Sequence, residues 1–221
     1  MMTALDIKIC GLTTDAALAA ALAGGASHVG FIFFPRSPRH VAPAEAGRLR
    51  QAARGKAKAV AVTVDADDAL LDAIVAAMAP DMLQLHGGES PARVAEVKAR
   101  YRLPVMKALS VREAADIAAG GAYGGVADRL LFDAKPPKGA ELPGGNGVSF
   151  DWRLLAGVDA GLDYLLSGGL NAANIGAALS LARPSGIDVS SGVESAPGVK
   201  DPALIEQFFR AVAAARGKDA A

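Results

Sequence analysis

Cysteine is almost missing from this chain: Cys10 is the single one among 221 residues. One thiol closes no internal disulfide, so no covalent framework carries the fold, and a reducing cytosolic setting is expected. Net charge is missing too, with 23 Lys plus Arg against 23 Asp plus Glu. No overall field draws the chain to nucleic acid or to an anionic membrane surface. Apolar runs such as 16–23 are too short and too rich in Ala and Gly to cross a bilayer. The first strand-like segment begins at residue 7, which leaves no space for the regions of a signal peptide. The three histidines stand at no metal-ligand spacing, and neither a phosphate-loop nor a nucleophile-elbow pattern occurs. These absences point to a cytoplasmic protein with no metal, no nucleic-acid partner and no membrane partner.

What is present is apolar and regular. Ala, Val, Leu, Ile and their kin make up 52% of the chain and aromatics only 5%, a composition suited to closely packed strands and helices. Strand-like runs fall at 7–10, 29–33, 59–64, 82–85, 105–108, 129–132, 163–166 and 186–189. Helical stretches lie between and after them at 15–23, 43–53, 67–77, 91–100, 111–119, 151–155, 172–182 and 202–215. Eight strands, each followed by a helix, predict an α/β chain closed into a single (β/α)8 TIM barrel over residues 1–215, with 216–221 a frayed tail. The competing architecture is an open doubly wound sheet, which would place a glycine-rich phosphate turn after its first strand. Here the glycine signals come late.

In a barrel of this kind the loops after the strands carry the chemistry. Cys10 closes the first strand, ahead of Gly11 and the helix-starting residues Thr13, Thr14 and Asp15. It is either a small buried packing residue or a proton-transfer group whose thiol pKa the helix N-terminus lowers. Asp133 closes the sixth strand behind an apolar run. Desolvation there raises a carboxyl pKa towards that of a general acid, whereas an ion pair with Lys135 is the plainer alternative. Gly144-Gly145-Asn146-Gly147, Ser167-Gly168-Gly169 and Ser190-Ser191-Gly192 cluster on the later loops. Loops after the seventh and eighth strands commonly bind phosphate in such barrels, because glycine lets backbone N–H groups approach an anion. The segment 34–40 presents Arg36 and Arg39 between prolines, suited to a carboxylate or simply solvated. Gln84 and His86, at alternate positions ending the fourth strand, face one side.

Several of these segments occur together in a characteristic order. Lys8-Ile9-Cys10-Gly11, Gly30-Phe31-Ile32-Phe33, Gln84-Leu85-His86-Gly87, Phe150-Asp151-Trp152, Leu166-Ser167-Gly168-Gly169-Leu170 and Asp188-Val189-Ser190-Ser191-Gly192-Val193-Glu194 closely resemble the phosphoribosylanthranilate isomerase family of tryptophan biosynthesis. The resemblance runs from residue 7 to the final helix. It implies an Amadori rearrangement in which Asp133 protonates the furanose ring oxygen and Cys10, as thiolate, removes the C2 proton. It implies further that Arg39 holds the anthranilate carboxylate, that Gln84 and His86 border the substrate, and that Asp188 lies near the ribose hydroxyls. The phosphate would rest on Gly145, Gly147, Gly168, Gly169, Ser190, Ser191 and Gly192. The substrate is then a small molecule bearing a phosphate and an aromatic carboxylate, no cofactor is required, and a homodimer is compatible with the family.

The chain departs from the family pattern at Asn146, where Ser or Thr is usual, and at Thr63 and Asp65, which make the third strand more polar. Other phosphate-binding barrels, such as indole-glycerol-phosphate synthase or ribulose-phosphate epimerase, would instead call for a lysine–glutamate site or metal-binding His and Asp. A non-catalytic sugar-phosphate binder would need the glycine loops but neither Cys10 nor Asp133.

Overall fold

In the computed structural model, which describes residues 5–137, 139–140, 142–159 and 161–218, eight parallel strands close into a barrel in chain order. Residues 1–4 of the expected barrel and 219–221 of the expected tail lie outside the described residues. The strands are β1 (Asp6–Cys10), β2 (His28–Phe33), β3 (Lys58–Thr63), β4 (Met82–Leu85), β5 (Val105–Val111), β6 (Arg129–Ala134), β7 (Tyr164–Leu166) and β8 (Gly186–Val189). The helices are α1 (Asp15–Ala23), α2 (Pro43–Ala53), α3 (Asp68–Met78), α4 (Pro91–Tyr101), α5 (Ala114–Ala118), α6 (Ile175–Leu181) and α7 (Pro202–Lys218). Closure comes from β1 pairing with β8, where Ile7 sits against Ile187 and Lys8 against Asp188.

The strand period of two sorts side chains into two cores. Outward residues such as Ile9, Phe31, Leu83, Phe132 and Ile187 pack under the helices. Inward ones, among them Val60, Val62, Met106, Leu131 and Leu165, fill the barrel together with Cys10. The N-terminal end is stitched by Arg129, which donates to Asp6 and Asp163 at 2.7 Å each and to Ser185 at 2.8 Å. Helix starts follow their capping signals: the side chains of Thr14, Asp67 and Ser90 accept from Ala17, Leu70 and Arg93 N–H.

The later helices differ from the periodicity. β5 continues to Val111 because Ser110 and Val111 still pair with Asp133 and Ala134, so α5 begins only at Ala114 and passes into a 3-10 turn over Ala119–Tyr123. The 151–155 stretch is a 3-10 turn, Trp152–Gly157. α6 starts at Ile175 because the Asn171 and Asn174 side chains hold the preceding residues in a turn. Residues 216–218 are helical within α7. Between β8 and α7 the chain forms a small antiparallel hairpin, β9 (Glu194–Ala196) with β10 (Val199–Lys200), which periodicity did not reveal. Among the described residues no helix is long and apolar enough to cross a membrane.

Candidate active site

A cleft of about 530 Å³ opens at the C-terminal end of the strands. Cys10, Arg39, His86, Asp133, Gly144, Gly145, Asp188 and Ser190 line it, with Ile32, Phe34, Val62 and Val64 as apolar walls. A smaller pocket of about 330 Å³ adjoins it under Asn146, Gly168, Gly169 and Ser191, and shares Asp133, Gly145, Ser167, Asp188 and Ser190 with it. Cys10 and Asp133 therefore face one space from strands β1 and β6. Gln84, Gly147 and Gly192 are not among the residues lining either space. Of the two arginines in the 34–40 loop, Arg39 is buried at the cleft and Arg36 is exposed.

Around Cys10 the electrostatics are divided. Burial pushes the thiol pKa up, the Lys8 ammonium pulls it down, and the Asp188 carboxylate pushes it up again. This corrects the expectation of a thiol acidified by a helix start. The cap of α1 is Thr14, four positions on, and Gly11 in a left-handed turn leads the chain away from Cys10. Lys8 is fully buried inside the barrel, and its Nζ donates to Asp188 Oδ1 at 2.9 Å. Ser190 spends its hydroxyl on the scaffold, donating to the Cys10 carbonyl at 3.1 Å.

Asp133 is also buried, with both oxygens engaged. Oδ1 accepts from the Ala134 N–H at 2.9 Å, and Oδ2 lies 3.2 Å from His86 Nε2. Gln84 Nε2 lies 2.9 Å from His86 Nδ1. The alternate-position pair read from the sequence is thus one hydrogen-bonded chain ending on Asp133, with Gln84 wholly beneath the cleft floor.

On the other wall Arg39 is held rigidly. Its Nε and Nη2 donate to the two carboxylate oxygens of Glu194 at 2.7 and 2.8 Å, and Nη2 also reaches the Gly145 carbonyl at 3.3 Å. Lys200 Nζ donates to the same carboxylate and to the Ser190 carbonyl. Burial pushes Glu194 up, yet Arg39 and Lys200 outweigh it and hold this carboxyl below its usual range. Lys8, Glu194 and Lys200 were not singled out as site residues from the sequence. Lys8 and Glu194 do stand inside the quoted motifs, and a charged residue inside an otherwise apolar strand was the signal available for Lys8.

The glycine loops are built for close approach. Gly168 has φ +89°, and a Cβ there would lie 2.6 Å from the Ala134 nitrogen. Gly145 has φ +71°, and a Cβ would lie 2.5 Å from Arg39 Nη1. Asn146 turns its amide inward, donating to the Leu142 carbonyl at 3.1 Å. Val62 on β3 and Val64 just past its end face the cleft. Asp65 serves the neighbouring loops, accepting from the Gly88 N–H at 2.7 Å and donating its own N–H to Glu89. Among the described residues no group of three or more His, Cys, Asp or Glu is placed to hold a metal ion.

Fold and site together define the class: a (β/α)8 barrel with a thiol, a carboxyl and a clamped guanidinium converging on one rim cleft beside a glycine-lined pocket. The family model of N-(5'-phosphoribosyl)anthranilate isomerase matches residues 7–211. The N-(5'-phosphoribosyl)anthranilate isomerase of Mesorhizobium japonicum is 78% identical over 99% of this chain and 100% of its own. The crystal structure of phosphoribosyl anthranilate isomerase from Thermotoga maritima superposes with a TM-score of 0.84 at 32% identity, covering 97% of this chain and 100% of its own. A structure of phosphoribosyl anthranilate isomerase in complex with reduced 1-(o-carboxyphenylamino)-1-deoxyribulose 5-phosphate gives 0.82 at 30% identity, with the same coverage. The chain belongs to the N-(5'-phosphoribosyl)anthranilate isomerase family and is an isomerase of tryptophan biosynthesis.

Proposed function

We propose that this chain converts N-(5-phosphoribosyl)anthranilate to 1-(2-carboxyphenylamino)-1-deoxyribulose 5-phosphate with Asp133 as general acid and Cys10 as general base. Asp133 gives its proton to the furanose ring oxygen as the C1–O bond breaks, and the nitrogen lone pair forms the iminium ion. Cys10, as thiolate, then takes the proton from C2, the C2 electrons neutralise the iminium, and the enolamine tautomerises to the ketone. One observation carries this reading: a buried thiol and a buried carboxyl on separate strands line the same cleft, as a proton removed at one carbon and delivered to a nearby oxygen require. The held guanidinium of Arg39 suits the anthranilate carboxylate. Asp188, lining both spaces, suits the ribose hydroxyls. The pocket bordered by Gly145, Gly168, Gly169, Ser190 and Ser191, to whose lining residues Gly147 and Gly192 are chain neighbours, suits the phosphate. Both proton transfers use side chains, so the chemistry calls for no cofactor. A single thiol working as a base suits the reducing cytoplasm. A homodimer fits as well, since a phosphoribosylanthranilate isomerase from Thermotoga maritima is described as dimeric.

The test is turnover of freshly generated phosphoribosylanthranilate, followed by loss of its fluorescence, in wild type, Cys10→Ala and Asp133→Asn. Wild type should consume it rapidly, and each folded variant should lose at least about 10²-fold in kcat. Near-wild-type kcat in either variant would remove that residue from its role, and an inert wild type would remove the assignment.

A further inference from the structure

The mechanism above leaves the most deeply buried cation, Lys8, unused. Lys8 shows 0% exposure, lies among the inward-facing residues of the barrel, and is absent from the lining of the cleft. An apolar side chain would fill the place more cheaply. Burying an ammonium is costly, and replacing a buried ion pair by hydrophobic residues of similar volume is often neutral or stabilising. Leu131 and Leu165 show that this interior accepts such residues. Stability alone therefore gives no reason for the Lys8–Asp188 pair.

The surroundings of Lys8 supply one. Lys8 and Cys10 alternate along β1 and so point to the same side. A Cβ at Gly30, on the neighbouring strand, would sit 3.0 Å from Cys10 Sγ and 3.1 Å from Lys8 Nζ. Ammonium and sulfur thus both border the space that the missing side chain of Gly30 leaves open, no more than about 6 Å apart, a range at which an opposite charge favours an ionised group. The other charges facing the thiol are Asp188, which opposes ionisation, and Lys200, which favours it. Glu194 and Arg39 lie behind Lys200, and Asp133 and His86 stand across the cleft.

We propose that Lys8 is a positioning residue whose ammonium favours the anionic form of Cys10, the form that takes the substrate proton. The proposal rests on the reading of Cys10 as base. Lys8 touches no substrate and acts through the thiol alone.

Because Cys10 is the only cysteine, the ultraviolet absorbance of its thiolate, taken as the difference from a Cys10→Ala variant carrying the same three tyrosines, reports this one group in the full-length protein. The absorbance is recorded against pH for wild type, Lys8→Met and Asp188→Asn, with circular dichroism to establish folding. Lys8→Met should move the titration to higher pH and leave at least about tenfold less thiolate at neutral pH. Asp188→Asn, which keeps the ammonium and removes the opposing carboxylate, should move it to lower pH. The opposite shift decides the matter even where Lys8→Met fails to fold. A wild-type titration in folded Lys8→Met, or an unchanged or upward one in Asp188→Asn, would overturn the proposal. Such a result beside an inactive Cys10→Ala would remove Lys8 alone. An active Cys10→Ala would remove the base itself, whatever the titrations show.

Discussion

Glu194→Gln strikes the cluster that holds Arg39 against the cleft. The Glu194 carboxylate accepts from Arg39 Nε at 2.7 Å, from Arg39 Nη2 at 2.8 Å, from the Gly198 N–H at 3.1 Å and from Lys200. Its side chain is 3% exposed, and those of Arg39 and Lys200 are 4% and 1% exposed. The amide keeps the shape but removes the only negative charge between two buried cations. It also turns an NH2 group, which can only donate, towards donors. Breaking a buried pair from one side costs roughly 3–5 kcal/mol, which for a chain of this size lowers Tm on the order of 10 °C. Urea unfolding at neutral pH reads this as a lower midpoint at constant slope. The released guanidinium should raise KM for phosphoribosylanthranilate about tenfold or more, with a smaller change in kcat. The pH dependence adds a check on sign. The folded-state pKa of Glu194 lies below its unfolded value of about 4.3. The stabilisation is therefore present above that value and is lost as pH falls through the folded pKa, so the gap between variant and wild type should narrow in acid. A variant within about 1 kcal/mol of wild type at neutral pH and unchanged in KM would refute this account of how Arg39 is held.

Burial pushes the His28 imidazole down to about 4 against the pull of Asp6. The unfolded chain therefore takes up this proton first, and about 3 kcal/mol of stability present above pH ~6.5 is lost on the way to pH ~4. Acid titration of unfolding free energy in wild type and His28→Asn should show a clearly shallower fall in the variant; parallel curves would exclude His28 as the source. Gly168→Ala places a methyl group 2.6 Å from the Ala134 nitrogen at φ +89°, so the loop must shift. Inorganic phosphate, measured as a competitive inhibitor, should then bind at least about tenfold more weakly, a loss of about 1.4 kcal/mol; unchanged inhibition would separate this loop from phosphate.

Much of the site was legible because barrel chemistry sits at strand ends, and strand ends can be read from alternation followed by glycine or polar residues. Cys10, Gln84, His86, Asp133 and Asp188 each close or nearly close a strand, and all but Gln84 line the cleft. Less could be read where the relevant neighbour is distant in sequence. Arg39 meets Glu194 across 155 positions, and Lys8 meets Asp188 across 180. The β9–β10 hairpin, which carries both Glu194 and Lys200, is too short for any periodic signal. The late start of α6 follows from two asparagine side chains whose bonds compete with helix.

Local order, then, belonged to the sequence itself: eight strands, seven of them followed by an α-helix and the sixth by a 3-10 turn, the capping residues, the glycines at the later loops, and a thiol and a carboxyl at two strand ends. These depend on neighbours within one turn or one strand, and the chain states them directly. Closing the barrel decided the rest. It placed β1 beside β8, sank an ammonium under the only thiol, fastened Arg39 through Glu194 and Lys200, and pushed the thiol pKa up through burial. Those effects arise from burial and from charges brought together across the whole chain, and such distances exist only once the strands have met.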